Sequence, residues 1–243
     1  MSLEALAEME YPGRFIILGR DKRNECNVAI YGLTGRSPAS QARKIVYNAV
    51  KKEVQVEPTE PDVLRTGDPA LLIYPAMMMG YEFAVSNGAQ TKSVANQLHA
   101  PSAPVHVLML AHSQWSFEPD APHYTPRISG CFVREEGGLI VHKRAENGSA
   151  VKHIFEVPMI PGRGSLIATY DGANRNPLPS FSGEPRLVSI EGNSAEDMAE
   201  QVYATIAPKD GCPDFRVAVA AAYVNTRRGG KDVGIVNRQE GGK

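Results

Sequence analysis

One carboxylate and one guanidinium flank a short stretch of the chain that three prolines stiffen. Glu118 stands at its start and Arg127 at its end, with Pro119, Pro122 and Pro126 between them. Proline fixes its own φ and biases the preceding residue toward extended backbone, so the loop restricts where both charged side chains can lie. An apolar run that predicts a buried strand follows directly. A loop leading into such a strand is suited to acid–base chemistry, although an ordinary solvated connection has the same composition.

A second group of residues has the chemistry to bind an anion. The segment 32–38 contains two glycines followed by Arg36 and Ser37, so backbone amides and a guanidinium stand close together in the sequence. A loop after a hairpin needs glycines for turning in any case, so the glycines alone are weak evidence. Farther along, an apolar run ends in Tyr74, and Ser86-Asn87-Gly88 is a turn signature.

The composition is that of an ordinary globular protein. The chain has 243 residues, 42% of them hydrophobic and 22% charged, and 26 basic side chains nearly balance 27 acidic ones. This balance provides no overall field for nucleic acid or an anionic membrane, so a phosphate site has to be local. No run approaches the ~18 apolar residues of a membrane span, and the acidic start lacks the features of a signal peptide. We therefore expect one cytoplasmic domain over 1–243.

The cysteines and histidines show no metal-ligand spacing. Cys26, Cys131 and Cys212 are odd in number and far apart, as expected for reduced thiols in the cytosol. Small buried or half-buried hydrophobic side chains are the simplest interpretation of all three. The six histidines include no His-x-x-x-His pair with a nearby acid. The sequence predicts no structural metal.

Short apolar runs bounded by glycine, proline or polar turns predict most of the fold. The predicted strands are 15–19, 27–31, 54–56, 71–75, 81–85, 128–133, 139–142, 151–157, 166–170, 186–190, 215–224 and 233–236. The first two form a hairpin. Ser194 and Asp197 approximate a capping box for a helix, and Thr91 is predicted to cap another that reaches Leu98. The run 105–110 fits a helical turn or a strand.

The remaining segments are predicted to lie outside the core. Residues 1–10 have the composition of a charged, partly disordered leader, 42–50 that of a solvated basic face, and 226–243 that of a peripheral tail. The segment 174–184 is rich in loop residues and long enough to be a lid. Many strands and few helices, spread along one chain, favour an α+β fold with stacked sheets covered by helices.

Five short motifs together resemble one family, the archaeal-type IMP cyclohydrolases, which close the last ring in purine nucleotide synthesis. The motifs are Tyr11-Pro12-Gly13-Arg14-Phe15, Gly35-Arg36-Ser37, Ala84-Val85-Ser86-Asn87-Gly88, Tyr124-Thr125-Pro126-Arg127-Ile128 and Ile190-Glu191-Gly192. Their order and spacing cover nearly the whole chain, and their joint occurrence carries the resemblance. The chain departs from the compact archaeal members by extra residues between Arg175 and Gly183 and by a longer tail.

The resemblance implies a fold and a reaction. The fold is a four-layer α-β-β-α sandwich like that of the N-terminal-nucleophile hydrolases, without an N-terminal nucleophile. The reaction closes 5-formamidoimidazole-4-carboxamide ribonucleotide to IMP with loss of water and uses no metal or organic cofactor. The implied partner is a purine nucleotide, with neither nucleic acid nor a membrane, and a homo-oligomer is expected.

The resemblance also assigns roles to individual residues. Glu118 is the expected proton-transfer group, and the Tyr74 phenol is the expected donor to the formyl oxygen. Arg36 and Arg127 are the expected anchors, because a guanidinium fork matches a phosphate or carboxamide. The other expected substrate contacts are Ser37, Asn87, Gly88 and Thr125. A solvated carboxylate, a buried structural tyrosine and a plain hairpin turn are the alternative interpretations of Glu118, Tyr74 and the Asn-Gly pair.

Two other functions are compatible with parts of the sequence. One is an amidohydrolase of the N-terminal-nucleophile type that uses Ser2, although such a nucleophile must begin a buried strand and Ser2 lies in a polar leader. The other is a nucleotide-binding protein without catalysis. The presence of both Glu118 and Tyr74 favours the enzyme.

Overall fold

A computed structural model describes residues 2–60, 72–80, 82–98, 102–227 and 229–238. The helices with defined bounds in these ranges are α1 (Glu4–Ala7), α2 (Pro38–Gln41), α3 (Gln90–Gln97), α4 (Pro104–Ala111) and α5 (Ala195–Thr205). The strands are β1 (Arg14–Arg20), β2 (Cys26–Thr34), β3 (Arg43–Asn48), β4 (Glu53–Pro58), β5 (Tyr74–Met79), β6 (Phe83–Ser86), β7 (Arg127–Val133), β8 (Glu136–Arg144), β9 (Ala150–Val157), β10 (Arg163–Ala168), β11 (Arg186–Ser189), β12 (Arg216–Asn225) and β13 (Lys231–Asn237).

The strands form two antiparallel sheets, which confirms the predicted α+β class. One sheet has the order β11-β10-β1-β2-β12-β13, and the other is a meander from β3 to β9. One apolar core contains buried residues of both sheets. A Cβ atom on Gly130 of β7 would lie only 2.7 Å from a methyl of Leu18 in β1. The missing side chain therefore lets the two sheets approach closely at this point.

Helices pack on these sheets through separate contacts. Helices α3 and α4 cover a second apolar cluster that includes Ala84, Cys131 and Ile140 of the meander. Helix α5 lies against β12 and β13. Its predicted cap is confirmed, because the Ser194 hydroxyl accepts a hydrogen bond from the Asp197 backbone at 3.1 Å. None of the described helices is long and apolar enough to cross a bilayer.

Several strand predictions are confirmed by the register. The first predicted hairpin is the β1–β2 pair, with Ile16 opposite Tyr31. The long apolar run 215–224 is β12, which lies between β2 and β13 and is buried over most of its length. Burial on both faces explains its nearly continuous apolar sequence. The run Met77-Met78-Met79 is typical of core packing, and Met77 and Met79 are fully buried whereas Met78 is half-buried.

The structure differs from the sequence interpretation at both ends of the chain. Residues 1–10 contain helix α1, and its Leu6 side chain is fully buried in the main core. At the other end, the predicted peripheral tail contains the predicted strand 233–236, which is part of β13 at the edge of its sheet. The Asn237 amide bonds both the N–H and the carbonyl of Ile45, at 2.7 and 2.9 Å. Apolar packing and backbone pairing thus integrate both segments into the fold.

Three local predictions were wrong or open. Residues 43–48 form strand β3 rather than a solvated face, because Ile45 is buried opposite Val56 of β4. Thr91 lies inside the first turn of α3 and donates its hydroxyl to the Gly88 carbonyl at 2.8 Å, while Ala89 takes the cap position. The run 105–110 is helix α4, with proline at its first position. The segment 58–68, whose prolines and polar residues predict a loop, lies largely outside the described residues.

Candidate active site

Glu118 is a buried carboxylate held by a guanidinium from the opposite sheet. Its side chain is 3% exposed, and Arg14 Nη2 donates to both carboxylate oxygens at 2.7 and 2.8 Å. The Asn87 amide lies 3.4 Å from the first of these oxygens. The Glu118 backbone N–H donates to the Thr125 carbonyl at 2.9 Å, which closes the base of the proline loop. The loop therefore places this carboxylate beside Arg14 at the start of β1 and Asn87 at the end of β6.

The backbone before Arg14 explains how its guanidinium reaches this position. Gly13 has a φ of 72°, and a Cβ atom there would lie 2.2 Å from the Thr169 hydroxyl. Glycine tolerates both the left-handed conformation and the close approach. The Thr169 hydroxyl in turn accepts the Arg14 backbone N–H at 3.1 Å. This local geometry fixes the start of β1 and hence the direction of the Arg14 side chain.

Burial is the dominant electrostatic influence on the Glu118 carboxyl. It raises the pKa of Glu118, while the nearby charges of Arg14 and Arg127 oppose the increase. A carboxylate with a raised pKa is a stronger base than an exposed glutamate. The two-point contact with Arg14 suits the ionised form. The site can therefore hold a carboxylate that accepts a proton from a weakly acidic group.

Two phenols lie beside the same guanidinium. The hydroxyls of Tyr31 in β2 and Tyr74 in β5 are 2.7 Å apart, and both side chains are buried. Burial raises the pKa of Tyr31 well above its ordinary value. The charge of Arg14 interacts with both phenols and with Tyr170. A catalytic role of Tyr74 stays a prediction, but the fold places this tyrosine near the Arg14–Glu118 pair.

Asn87 joins the end of β6 to the segment that enters β7. Its side-chain oxygen accepts hydrogen bonds from the Ile128 backbone and from the Gln90 amide, both at 2.8 Å. Its amide group donates to the Pro126 carbonyl at 2.9 Å. These contacts hold Glu118 and Arg127 in one network. Asn87 is thus built into the protein side of the candidate site.

Arg127 is largely buried and held by three groups. Its Nε donates to the Ser116 carbonyl at 2.9 Å, and its Nη1 donates to the Gln90 side chain at 3.0 Å. The guanidinium stacks over the Trp115 ring, with its carbon 4.7 Å from the ring centroid. Among the described residues, Nη2 has no hydrogen-bond partner. This nitrogen can bind a ligand.

Gly88 lies close to the Arg127 guanidinium, and its lack of a side chain leaves room for this group. A Cβ atom at Gly88 would lie 2.7 Å from the Gln90 side-chain oxygen and 3.0 Å from Arg127 Nη1. A larger residue would displace the Gln90–Arg127 contact. The structure thus gives Gly88 a packing role, and its expected substrate contact stays a prediction.

Thr125 belongs to a hydrogen-bond chain that connects the loop to Tyr170. Its hydroxyl lies 2.6 Å from the Tyr170 hydroxyl and also contacts the Asp120 carboxylate. Asp120 accepts the Thr125 backbone N–H at 2.7 Å as well. Burial raises the pKa of Tyr170 to about 12, so this phenol is neutral in ordinary buffers. The Tyr170 ring stacks on Tyr11 at a centroid distance of 5.7 Å.

Arg36 lies at the other side of this aromatic pair, separate from Arg127. Its guanidinium carbon is 5.2 Å from the Tyr11 ring centroid, and its Nη1 donates to the Asn174 side chain at 3.0 Å. The neighbouring Ser37 is exposed and caps helix α2 in a reciprocal contact with Ser40. The expected substrate contacts of Arg36 and Ser37 stay predictions.

His112 and His123 have the residue type of a proton shuttle, and they lie in different places. His112 is fully buried, with Nε2 2.8 Å from the Ser129 hydroxyl, and burial lowers its pKa to about 3. It is therefore a neutral part of the packing between α4 and β7. His123 lies in the proline loop beside Arg36.

The segment 174–184, which is long enough to be a lid, is held against the protein by the buried side chains of Leu178 and Phe181.

Two cavities formed by the described residues do not contain the catalytic candidates. A cavity of about 410 Å³ is lined by Pro12, Thr34 and Phe215 among others, and one of about 810 Å³ lies at the opposite end of the sheets near Phe83 and Phe132. Neither lining includes Glu118, Tyr74 or Arg127. The site assignment therefore rests on the buried ionic network. Within the described ranges, no three His, Cys, Asp or Glu side chains converge as a metal site would require.

Sequence reasoning missed several members of this network. Arg14 was noted only as part of a motif, and neither Tyr31 nor Gln90 was considered. Asp120 was not expected to matter. The glycine before Arg14 was the available signal, since Gly13 at a strand start indicates a special backbone position.

Comparison with known proteins identifies the family of the chain. A search of curated proteins found no matching protein. A family model described as IMP cyclohydrolase-like protein matches residues 11–229, which include Arg14, Glu118 and Arg127. Because the match extends over nearly the entire chain, the protein belongs to the IMP cyclohydrolase-like family.

Proposed function

We propose that the protein is an IMP cyclohydrolase that closes 5-formamidoimidazole-4-carboxamide ribonucleotide to IMP with loss of water. Family membership supports the general activity. The observation that carries the specific reaction is the buried Glu118 carboxylate, held by Arg14 at 2.7 and 2.8 Å beside the Tyr74 phenol. We also propose that the two sheets and their helices form the four-layer sandwich of the N-terminal-nucleophile hydrolases, in a cytoplasmic homo-oligomer.

The first step forms the new C–N bond. The carboxamide nitrogen attacks the formyl carbon, and Glu118 accepts the proton that this nitrogen loses. The formyl oxygen gains negative charge, which a hydrogen bond from the Tyr74 hydroxyl stabilises. Glu118 then returns its proton to this oxygen. The product is a cyclic carbinolamine, and Glu118 is again ionised.

The second step removes water from the carbinolamine. The hydroxyl group leaves with the proton of the former formamide nitrogen, and the C=N bond of the purine ring forms. Both reacting arms belong to one nucleotide, so the protein mainly has to hold them close together and neutralise developing charge. Arg127 Nη2 and Arg36 are the proposed anchors for the ligand, with Ser37, Asn87, Gly88 and Thr125 around them.

The direct test is conversion of the formamido ribonucleotide by purified protein, followed by the ultraviolet absorbance of the purine. We expect IMP to form without added metal and at the same rate in the presence of a chelator. A strict metal requirement would contradict the proposed mechanism. Absence of turnover, with intact nucleotide binding, would support the non-catalytic alternative.

The N-terminal-nucleophile alternative has no support from the position of Ser2. Its side chain is exposed and its hydroxyl accepts the Glu4 backbone N–H at 3.2 Å, just before α1. A nucleophile of that class must begin a buried strand.

Tyr31→Phe is expected to reduce kcat about tenfold with little change in KM. Tyr31 is fully buried, and its only described hydrogen-bond partner is Tyr74 at 2.7 Å. Either hydroxyl can donate in this contact, and the proposed role of Tyr74 as donor to the substrate requires that Tyr31 donate to Tyr74. Steady-state kinetics in the wild-type and Tyr74→Phe backgrounds provide the measurement.

The two backgrounds distinguish orientation from general damage. If Tyr31 acts by orienting Tyr74, its replacement has no further effect on kcat once the Tyr74 hydroxyl is gone. Equal losses in both backgrounds would mean that Tyr31 does not work through Tyr74.

A further inference from the structure

The His123 side chain makes two contacts that a neutral imidazole cannot both satisfy. The Leu178 backbone N–H donates to Nδ1 at 3.2 Å, and Arg36 Nη2 lies 3.5 Å from Nε2. A backbone N–H and a guanidinium are both donors, whereas a neutral imidazole has one acceptor nitrogen and one N–H. One of the two contacts therefore places two donors face to face. Protonation would make both contacts unfavourable.

The unfavourable contact is the one with Arg36. The Leu178 N–H is the shorter contact and is fixed by the backbone, so Nδ1 is the acceptor and Nε2 carries the proton. Arg36 cannot simply turn away. Its Nη1 is bound by the Asn174 side chain and the Arg175 carbonyl at 3.0 and 3.2 Å. Among the described residues, Nη2 and Nε2 have no hydrogen-bond partner apart from each other.

We propose that His123 Nε2 and Arg36 Nη2 together bind the phosphate group of the nucleotide. Given the proposed function, this makes His123 a residue that distinguishes nucleotides from nucleosides. A phosphate offers acceptor oxygens and negative charge, which resolves the contact between the two donors. The phosphate thus supplies the acceptor that the protein lacks at this point.

The position of the pair within the fold supports this assignment. His123 and Glu118 lie in one loop, whose two ends are joined by the Glu118 N–H and Thr125 carbonyl contact of 2.9 Å. From Thr125, the chain of contacts continues through the Tyr170 hydroxyl and the Tyr11 ring to Arg36. The reacting end of the substrate would lie at the base of the loop and its phosphate near His123.

Two substitutions at His123 separate its two nitrogens. In His123→Asn, the side-chain oxygen can replace Nδ1 as the acceptor for Leu178, but no donor remains at the position of Nε2. In His123→Gln, the longer amide can place a donor near Arg36, but the Leu178 acceptor is lost. The exposed His153→Asn in β9 is the matched control.

Calorimetric binding of IMP and of inosine provides the measurement, because it does not depend on turnover. We expect His123→Asn to weaken IMP binding about tenfold or more, with unchanged inosine binding. His123→Gln should retain most of the IMP affinity, and the control should match wild-type protein. Equal weakening of IMP and inosine, unchanged IMP binding in His123→Asn, or a larger loss in His123→Gln would overturn the assignment.

The same measurements separate this proposal from the proposed reaction. Suppose that the protein forms no IMP but binds IMP more tightly than inosine, and that this difference requires His123. Such a result would support the phosphate site and contradict the cyclohydrolase reaction. Wild-type protein that binds IMP and inosine equally would contradict the phosphate site, whatever its activity.

Discussion

Replacing Glu118 with glutamine is expected to lower kcat by about 10²–10⁴-fold while nucleotide affinity stays nearly unchanged. Glutamine keeps the shape of the side chain and one acceptor for Arg14, but it cannot accept the carboxamide proton. The proline loop restricts the backbone, and Asp120 is occupied by Thr125, so a neighbouring carboxylate cannot replace Glu118. Single-turnover kinetics and IMP binding measure the two quantities separately.

The pH dependence of the wild-type enzyme tests the same role. The base must be ionised, so kcat/KM falls as the pH decreases through the pKa of Glu118. Because burial raises the pKa of Glu118, this fall should begin at a higher pH than the value of about 4.3 for an exposed glutamate would give.

The control for the Glu118→Gln substitution is Glu136→Gln, which changes an exposed carboxylate and should retain wild-type kcat. A Glu118→Gln variant within a few-fold of wild-type kcat would move the proton transfer to Tyr74 or to ordered water.

The sequence was informative about Glu118 because local features determine much of its environment. Three prolines indicated a restricted loop, and the apolar run after Arg127 indicated the strand that fixes its end. The strands themselves were predictable, since burial in a sheet imposes an apolar pattern on each segment separately. The order of the strands within the two sheets could not be predicted from these patterns, because it depends on pairing between segments that are distant in the sequence.

The partners of Glu118 could not be predicted for the same reason. Arg14 is 104 residues away in sequence, and Tyr31 is 43 residues from Tyr74. Each contact exists only because the two sheets meet face to face. The family resemblance named Arg36 and Arg127 together as anchors, and only the structure places one beside Tyr11 and the other on Trp115.

Arg14→Met is expected to destabilise the protein by about 3–5 kcal/mol, because it leaves the buried Glu118 carboxylate without its hydrogen-bonded counter-charge. Arg14 and Glu118 are only 14% and 3% exposed, so solvent screens the remaining charge weakly. Denaturant unfolding at neutral pH measures the loss. The matched control is Arg216→Met, which breaks a more exposed pair with Asp214 and should cost about 0–1 kcal/mol.

A double substitution separates the loss of the ion pair from the loss of packing. If the unpaired charge is the cause, Arg14→Met combined with Glu118→Gln should be more stable than Arg14→Met alone, since glutamine carries no charge. A cavity or a disturbed β1 would leave the double variant as unstable as the single one. Wild-type stability in Arg14→Met would show that the pair contributes nothing to folding.

The stability deficit of Arg14→Met should also depend on pH. Removing Arg14 removes a charge that lowers the pKa of Glu118, so burial then raises this pKa further above its unfolded value. A group with a raised pKa binds its proton more strongly in the folded state. The free energy of unfolding of the variant therefore increases relative to wild-type protein as the pH decreases through the raised pKa. The deficit should be largest above that pKa and shrink in acid. A deficit that is constant with pH would show that the buried carboxylate is not its source.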